Sequence, residues 1–442
     1  MTSYDFLILA FFFLLLFIPF ISIQVSLLLF LFGSLFFPYL HLGNIFIRFE
    51  VIYILWLLVF LLIKRKFTLV VSKVAMLYFV YIMLILLSTF VNLIQTPTKI
   101  IDSLIVLNGL LRPLLVIIIF SNTPLDLNFV RTILKSFLLF SIPLNLLSIF
   151  QFIGVDIVTK ITLNLYTSPA ITSPYTLIKT FGRFARVVSV FEFTPYTAIY
   201  TLMILLVVLT FSTNRENLLK QKYIYIIGAL AFLVGILTLS ATFFLGFGTL
   251  LGITLWLNFR SPRRLFCVMK AAVVIGISGV LLLAVSPEIR NLAQGGIEYQ
   301  FQRILTVKVF KTRYDPEMGS LANAYKLISK NLILGNGALF KENVFWGDTF
   351  YISTLYTGGI VGFGIYLSFI LWVLKLSKKR KELSGILGLL NTLVFQLTLL
   401  FLITGLGAPA FTMRRASEWY WAFLGMSLNQ SLYRGVRECS EK

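Results

Sequence analysis

The sequence predicts an all-α polytopic integral membrane protein, a single bundle over residues 1–442 with about 12–13 transmembrane helices and two ordered outer loops. Of the 442 residues 59% are hydrophobic and only 12% charged. Apolar runs of about 20 residues, the length that crosses a ~30 Å hydrocarbon core, recur down the chain. These runs are continuous rather than alternating, which selects helices over barrel strands, and only a helix satisfies its backbone within one segment.

Hydropathy places the spans near residues 6–21, 24–40, 48–63, 69–93, 103–120, 129–152, 194–212, 223–239, 241–258, 265–285, 350–374, 384–404 and 416–432. The first run has no Lys or Arg before it and no small-residue cleavage site, so it reads as a retained span. Lys64-Arg65-Lys66, Arg215 to Lys222, Arg260 to Arg264 and Lys375 to Lys381 are dense basic clusters in short connections, which marks those connections as cytoplasmic. Alternation then puts residues 153–193 and 286–349 outside and the tail bearing Arg434 and Arg437 inside. The N-terminus is outside if residues 6–40 cross twice and inside if Pro19 breaks an interfacial segment.

The net charge of +21 follows from the same clusters, so it reads as topology and attraction to anionic lipid headgroups, not nucleic-acid binding. Trp256 and Trp372 suit the interfacial aromatic belt. Cys267 and Cys439 both map to the cytoplasmic side, which leaves the outer loops without a disulfide. His41 is the one histidine, and no metal-ligand spacing accompanies it; no phosphate-cradling G-x-x-x-x-G-K-[ST] loop is present. The chemistry expected is therefore free of metal and cofactor.

Buried charge and outer arginines are the remaining signals. Arg112, ahead of Pro113, lies well inside a span, where a charge costs a few kcal/mol and needs a partner. It either pairs with Asp102 or a carbonyl freed by the proline, or faces a polar cavity and meets an anionic substrate. No Asp or Glu lies near the middle of any span, which counts against a proton- or sodium-coupled transporter. In loop 153–193, Lys160, Lys179, Arg183 and Arg186 stand against Asp156 and Glu192, and Arg183 and Arg186 have the spacing for a guanidinium fork around phosphate.

Loop 286–349 is too long for a passive connector. Leu321, Tyr325, Ile328 and Leu332 recur at helical spacing and predict an amphipathic helix over 320–331, with Asp315-Pro316 as a start signal and Gly335-Asn336-Gly337 as its end. Of the basic residues ahead of it, Arg303 and Arg313 stand out. The stretch Gly335 to Gly362 runs from that Gly-Asn-Gly turn through Asp348 into what reads as a Gly-Gly-Ile-Val-Gly helix start.

Four segments in order carry a family likeness: "GRFARVVSVFEFTPYTAIY", "LTLSATFFLGFGTLLG", a long outer loop ending "NLILGNGALF", and "DTFYISTLYTGGIVGFGIYL". Over roughly residues 100–430 the chain resembles the superfamily of O-antigen polymerases (Wzy) and O-antigen ligases. The resemblance implies a membrane glycosyltransferase of the bacterial inner membrane with its active site facing the periplasm, acting in lipopolysaccharide or other polysaccharide biosynthesis. Its partners would be undecaprenyl-pyrophosphate-linked oligosaccharide and membrane lipid, with a chain-length regulator protein as a further candidate.

In the ligases the loop ends in a histidine, a polar residue, nine more residues, then Gly-x-x-Gly. Asp348 and Thr349 take the first two places here, and Gly359 and Gly362 fall in register. The missing histidine turns the likeness toward the polymerases. Ala241 stands where relatives often have an arginine, and the arginine-then-glycine repeat of some polymerase loops is absent after Arg183, Arg186, Arg303 and Arg313.

A sugar on polyprenyl pyrophosphate is already activated, so an enzyme need only orient an acceptor hydroxyl and stabilise charge on the leaving group. On that reading Arg183, Arg186, Arg303 and Arg313, with Arg112, Arg414 and Arg415, hold pyrophosphate, while Asp348 or Glu192 takes the proton. Asp348 has the alternative of capping a helix that starts near Phe350. Two further functions stay open: an O-antigen ligase or oligosaccharyltransferase, and a transporter or flippase of a lipid-linked or anionic solute.

Overall fold

The structure is a computed structural model and describes residues 12–42, 45–64, 70–95, 100–166, 187–191, 193–213, 218–259, 261–284, 287–306, 308–339 and 349–433. It is an all-α multi-pass membrane bundle. Among the described residues seven helices are long and apolar enough to cross a membrane: α4 (Lys73–Gln95), α6 (Leu127–Ile153), α8 (Thr194–Thr213), α10 (Ala241–Asn258), α11 (Pro262–Ala284), α15 (Phe350–Arg380) and α16 (Gly385–Thr404). Shorter apolar helices fill in around them, including α2 (Ile23–Phe36), α3 (Phe49–Ile63), α5 (Ile100–Asn122) and α9 (Gln221–Leu237). A short antiparallel hairpin, β1 (Tyr39–Leu42) and β2 (Ile45–Arg48), joins α2 to α3 where hydropathy had suggested a plain connection.

The centre is built from α8, α16 and α17 (Ser417–Leu428), and every residue of α17 is buried. Hydrocarbon offers no water to polar groups, so hydroxyls and amides must find partners across helices. Thr210 Oγ1 donates to Gln396 Oε1 at 2.8 Å, tying α8 to α16. Thr398 Oγ1 and the Tyr420 hydroxyl, 2.9 Å apart, tie α16 to α17. Lys73 and Lys375 both sit over the Trp372 ring, at 5.4 and 5.3 Å, which puts the start of α4 and the far end of α15 at one end of the bundle.

The segment 286–349 holds three helices among its described residues: α12 (Pro287–Leu305), α13 (Lys308–Tyr314) and α14 (Ala322–Lys330). Asp315-Pro316 does not start α14. Asp315 instead accepts the backbone N–H groups of Glu317 and Met318 at 2.9 and 2.8 Å, closing a turn, and α14 begins after Leu321. Leu321, Ala324 and Ile328 form its buried face against Ile352 and Tyr356 of α15.

The Gly-Gly-Ile-Val-Gly stretch does start a helical segment: α15 is two helices joined at a kink at Gly359, and the second begins there. α15 begins at Phe350, capped by Thr349, whose side chain accepts the Ile352 N–H at 3.2 Å. The cap read for Asp348 thus belongs to its neighbour. Gly359, at φ 60 and ψ −163, breaks α15, and the segment after α14 docks into the break. Asn336 and Gly337 N–H groups donate to the carbonyls of Tyr356 and Thr357 at 2.7 and 2.9 Å, and Ile360 and Val361 donate back to Leu332 and Ile333 at 2.9 and 3.2 Å. From α4, Ser88 and Asn92 donate to the Gly335 carbonyl, and Thr89 Oγ1 accepts the Ala338 N–H.

Candidate functional site

Two cavities, each of about 220 Å³, lie back to back. The first is lined by the N-terminal turn of α10, the end of α16, and α12 and α13 from the long loop. Arg303 and Arg313 line it together with Ser240, Thr242 and Gln300. Arg313 donates to the Gly407 carbonyl at 2.9 Å, and the neighbouring Tyr314 hydroxyl to that of Leu406, so α13 is pinned over the turn that follows α16. Burial pushes the Tyr314 phenol above its ordinary pKa. The Arg303 guanidinium lies 5.5 Å from the centre of the Tyr299 ring.

Ser240 caps α10, accepting the Thr242 N–H at 3.3 Å, so the electropositive end of an 18-residue helix opens on this cavity beside the two arginines. Leu239, just before the cap, has φ 47, a conformation few side chains adopt. Leu245, Ile403 and Leu406, each 37–42% exposed, add apolar side chains to the same cavity. Gln300 is buried, and its Oε1 has no hydrogen-bond donor among the described residues.

Arg112 and Arg414 line the second cavity with Tyr81, Tyr366 and the hydroxyls of Ser353, Thr354 and Thr357. Arg112 is 4% exposed and pairs with Glu418 of α17 at 3.0 Å. Glu418 also lies 3.8 Å from Arg48, which pairs with Glu50. All four side chains are buried, so each charge has opposite charge beside it, as a low-dielectric interior demands. Arg112 is thus ion-paired, with Glu418, a partner not expected from the sequence, and it also lines a cavity. Asp102's side chain lies outside the described residues.

A common wall separates the cavities. Pro195 lines the first and Tyr196 the second; Gly407 lines the first and Pro409 the second. The Phe350 N–H donates to the Gly405 carbonyl at 2.9 Å and fastens that wall to α15.

The structure thus brings Arg303 to Arg313 and Arg112 to Arg414. Arg415 lines neither cavity: its guanidinium, 2% exposed, donates to the carbonyls of Leu35 and Phe37 at 3.1 Å and stacks on Tyr166. Arg183, Arg186, Glu192 and Asp348 lie outside the described residues. Sequence reasoning missed Glu418, which hydropathy left at a span end, and Gln300, Tyr314 and Tyr366. The Ser240 turn was visible, and Ala241 beside it lines the first cavity. Among the described residues no group of three His, Cys, Asp or Glu could hold a metal ion.

No protein-family model matches the chain, and no curated protein matches it.

Proposed function

We propose that this protein is a membrane glycosyltransferase that polymerises undecaprenyl-pyrophosphate-linked oligosaccharide repeat units into a surface polysaccharide, working at the outer face of the bacterial inner membrane. The observation that carries the reading is the first cavity, where two arginines and a helix N-terminus share the lining with the apolar Leu245, Ile403 and Leu406. A pyrophosphate on a long isoprenoid, anionic at one end and hydrocarbon at the other, suits that lining. The cavity sits where α10 begins and α16 ends, away from the basic Lys375–Lys381 connection, which the positive-inside rule makes cytoplasmic.

In the reaction, an acceptor hydroxyl oxygen forms a bond to the anomeric carbon as the bond from that carbon to the pyrophosphate oxygen breaks. The electron pair leaves with undecaprenyl pyrophosphate, and the proton leaves the acceptor hydroxyl. Arg303 and Arg313 stabilise the charge that grows on the departing oxygen. Both side chains line a cavity set into the protein, where such hydrogen bonds are stronger than in open water. Asp348 and Glu192 remain the candidates for the proton. Ala241, where the resembled families often carry an arginine, lies in this cavity, and α12 and α13 supply its guanidinium groups instead.

The test is the gel profile of surface polysaccharide after Arg303→Ala, with membrane abundance of the protein measured in parallel. Single-repeat chains at normal protein level, reflecting a loss of about 10²–10³ in rate, support the reading. A ladder that survives deletion of the whole gene sinks it and favours transport, while free long polymer retained on its carrier favours a ligase.

A further inference from the structure

We propose that the second cavity is the acceptor site, binding the terminal sugar of the incoming repeat unit through hydroxyl and aromatic contacts; this assignment rests on the polymerase reading above. Three independent features point to a hydroxyl-rich ligand. The first is an unsatisfied group. Tyr366 lines the cavity, is 1% exposed, and its hydroxyl has no hydrogen-bond partner among the described residues. A buried hydroxyl left unmade is costly, and a ligand hydroxyl would satisfy it.

The second is the chemistry of the wall. Ser353, Thr354 and Thr357 stand a turn apart on α15, each giving its proton to a carbonyl of its own helix: Ser353 and Thr354 to Phe350 at 2.9 and 2.8 Å, and Thr357 to Ser353 at 2.9 Å. Each oxygen has a second lone pair, and Thr354 and Thr357 also meet the Tyr81 hydroxyl, so the wall presents a connected set of hydroxyls to a ligand. Tyr81 and Tyr196 add aromatic side chains to the lining, a surface suited to the C–H side of a sugar.

The third is a space. Gly109 lies inside α5, where glycine costs about 1 kcal/mol against alanine. A Cβ built there meets nothing within 4 Å, so no packing contact accounts for the glycine, and Gly109 lines this cavity. A larger residue would fill the room a ligand needs. The thin wall of Pro195-Tyr196 and Gly407 to Pro409 then sets the acceptor beside the donor pyrophosphate of the first cavity, the juxtaposition that transfer requires.

Crossed binding tests separate this assignment from the reading beneath it. The purified full-length protein in detergent is heated with one of two probes: undecaprenyl pyrophosphate, or the repeat-unit oligosaccharide cleaved from its carrier and free of phosphate. Both probes should raise the unfolding temperature of the wild type. Gly109→Leu should abolish the oligosaccharide shift and keep the undecaprenyl pyrophosphate shift, and Arg303→Ala should do the reverse. Tyr366→Phe, which removes one oxygen and no packing, should weaken the oligosaccharide about tenfold and carries the test if Gly109→Leu does not fold. Oligosaccharide binding that is absent from the wild type, or unchanged in both Gly109→Leu and Tyr366→Phe, overturns the acceptor site while leaving the donor reading standing. Failure of undecaprenyl pyrophosphate to protect even the wild type brings down the polymerase reading itself.

Discussion

Gly335 and Gly359 meet backbone to backbone. A Cβ on Gly335 would stand 2.4 Å from the Gly359 nitrogen, and one on Gly359 2.5 Å from the Gly335 nitrogen. Each also has positive φ, and the ψ of −163 at Gly359 belongs to a region open essentially to glycine alone. The contact lets the long loop give its N–H groups to carbonyls that the broken helix exposes. Alanine at either site should therefore cost at least about 1–3 kcal/mol, read as a lower unfolding temperature in detergent. Gly364→Ala, in the same helix with open space around its Cβ, should be neutral or slightly stabilising; equal losses at all three positions would contradict the backbone contact.

Arg112 and Glu418 make the second prediction. Removing either partner strands a buried charge, so Arg112→Gln and Glu418→Gln should each cost about 3–5 kcal/mol. The double variant keeps Arg48 paired with Glu50 and should cost less than the sum of the two by about 1–3 kcal/mol. Strict additivity in an unfolding cycle would show that the two side chains do not act as a pair.

How far the sequence discloses this arrangement depends on the range of each interaction. Arg303 and Arg313 were visible as basic residues in the long polar segment 286–349, and the bundle was visible in its apolar runs. Their convergence was not, because Arg313 is held by a carbonyl at Gly407 contributed by the far end of another span. Glu418 looked like a span-end residue, and only Arg112 from α5 and Arg48 from the hairpin make it a buried counter-ion. The Gly-Gly motif was legible as a helix start, and the second half of α15 does begin there, but local pattern did not disclose that Gly335 and Gly359 also form a close backbone crossing.

Asp315 yields a pH prediction. The backbone N–H groups of Met318 and Glu317 stabilise its charged form and hold its carboxyl below the usual carboxylate range. A depressed pKa in the folded state contributes stability that is fully present above the unfolded value and lost as pH falls through the folded one. Proteolysis of the turn between α13 and α14 should thus be unchanged from neutral pH down to the ordinary carboxylate range and rise below it. Asp315→Asn, which cannot ionise, should remove that acid-dependent step; a step of the same size in the variant would assign it to another group.

The last prediction separates charge from geometry in the first cavity. Arg313→Lys keeps the charge but loses the planar fork that reaches both the Gly407 carbonyl and the cavity. A Cβ at Gly407 would lie 3.0 Å from Thr242 Oγ1 and 3.7 Å from the Arg313 Nη1, so Gly407→Ala presses on the same place without touching charge. If placement of the guanidinium matters more than its charge, both variants should slow chain extension by about tenfold or more while their unfolding temperatures stay within a few degrees of wild type. The measurement is extension of lipid-linked repeat units in isolated membranes, scored by gel. Near-normal activity in Arg313→Lys together with a slow Gly407→Ala would mean that a bare positive charge suffices at position 313 and that Thr242 on α10 is the group requiring exact alignment.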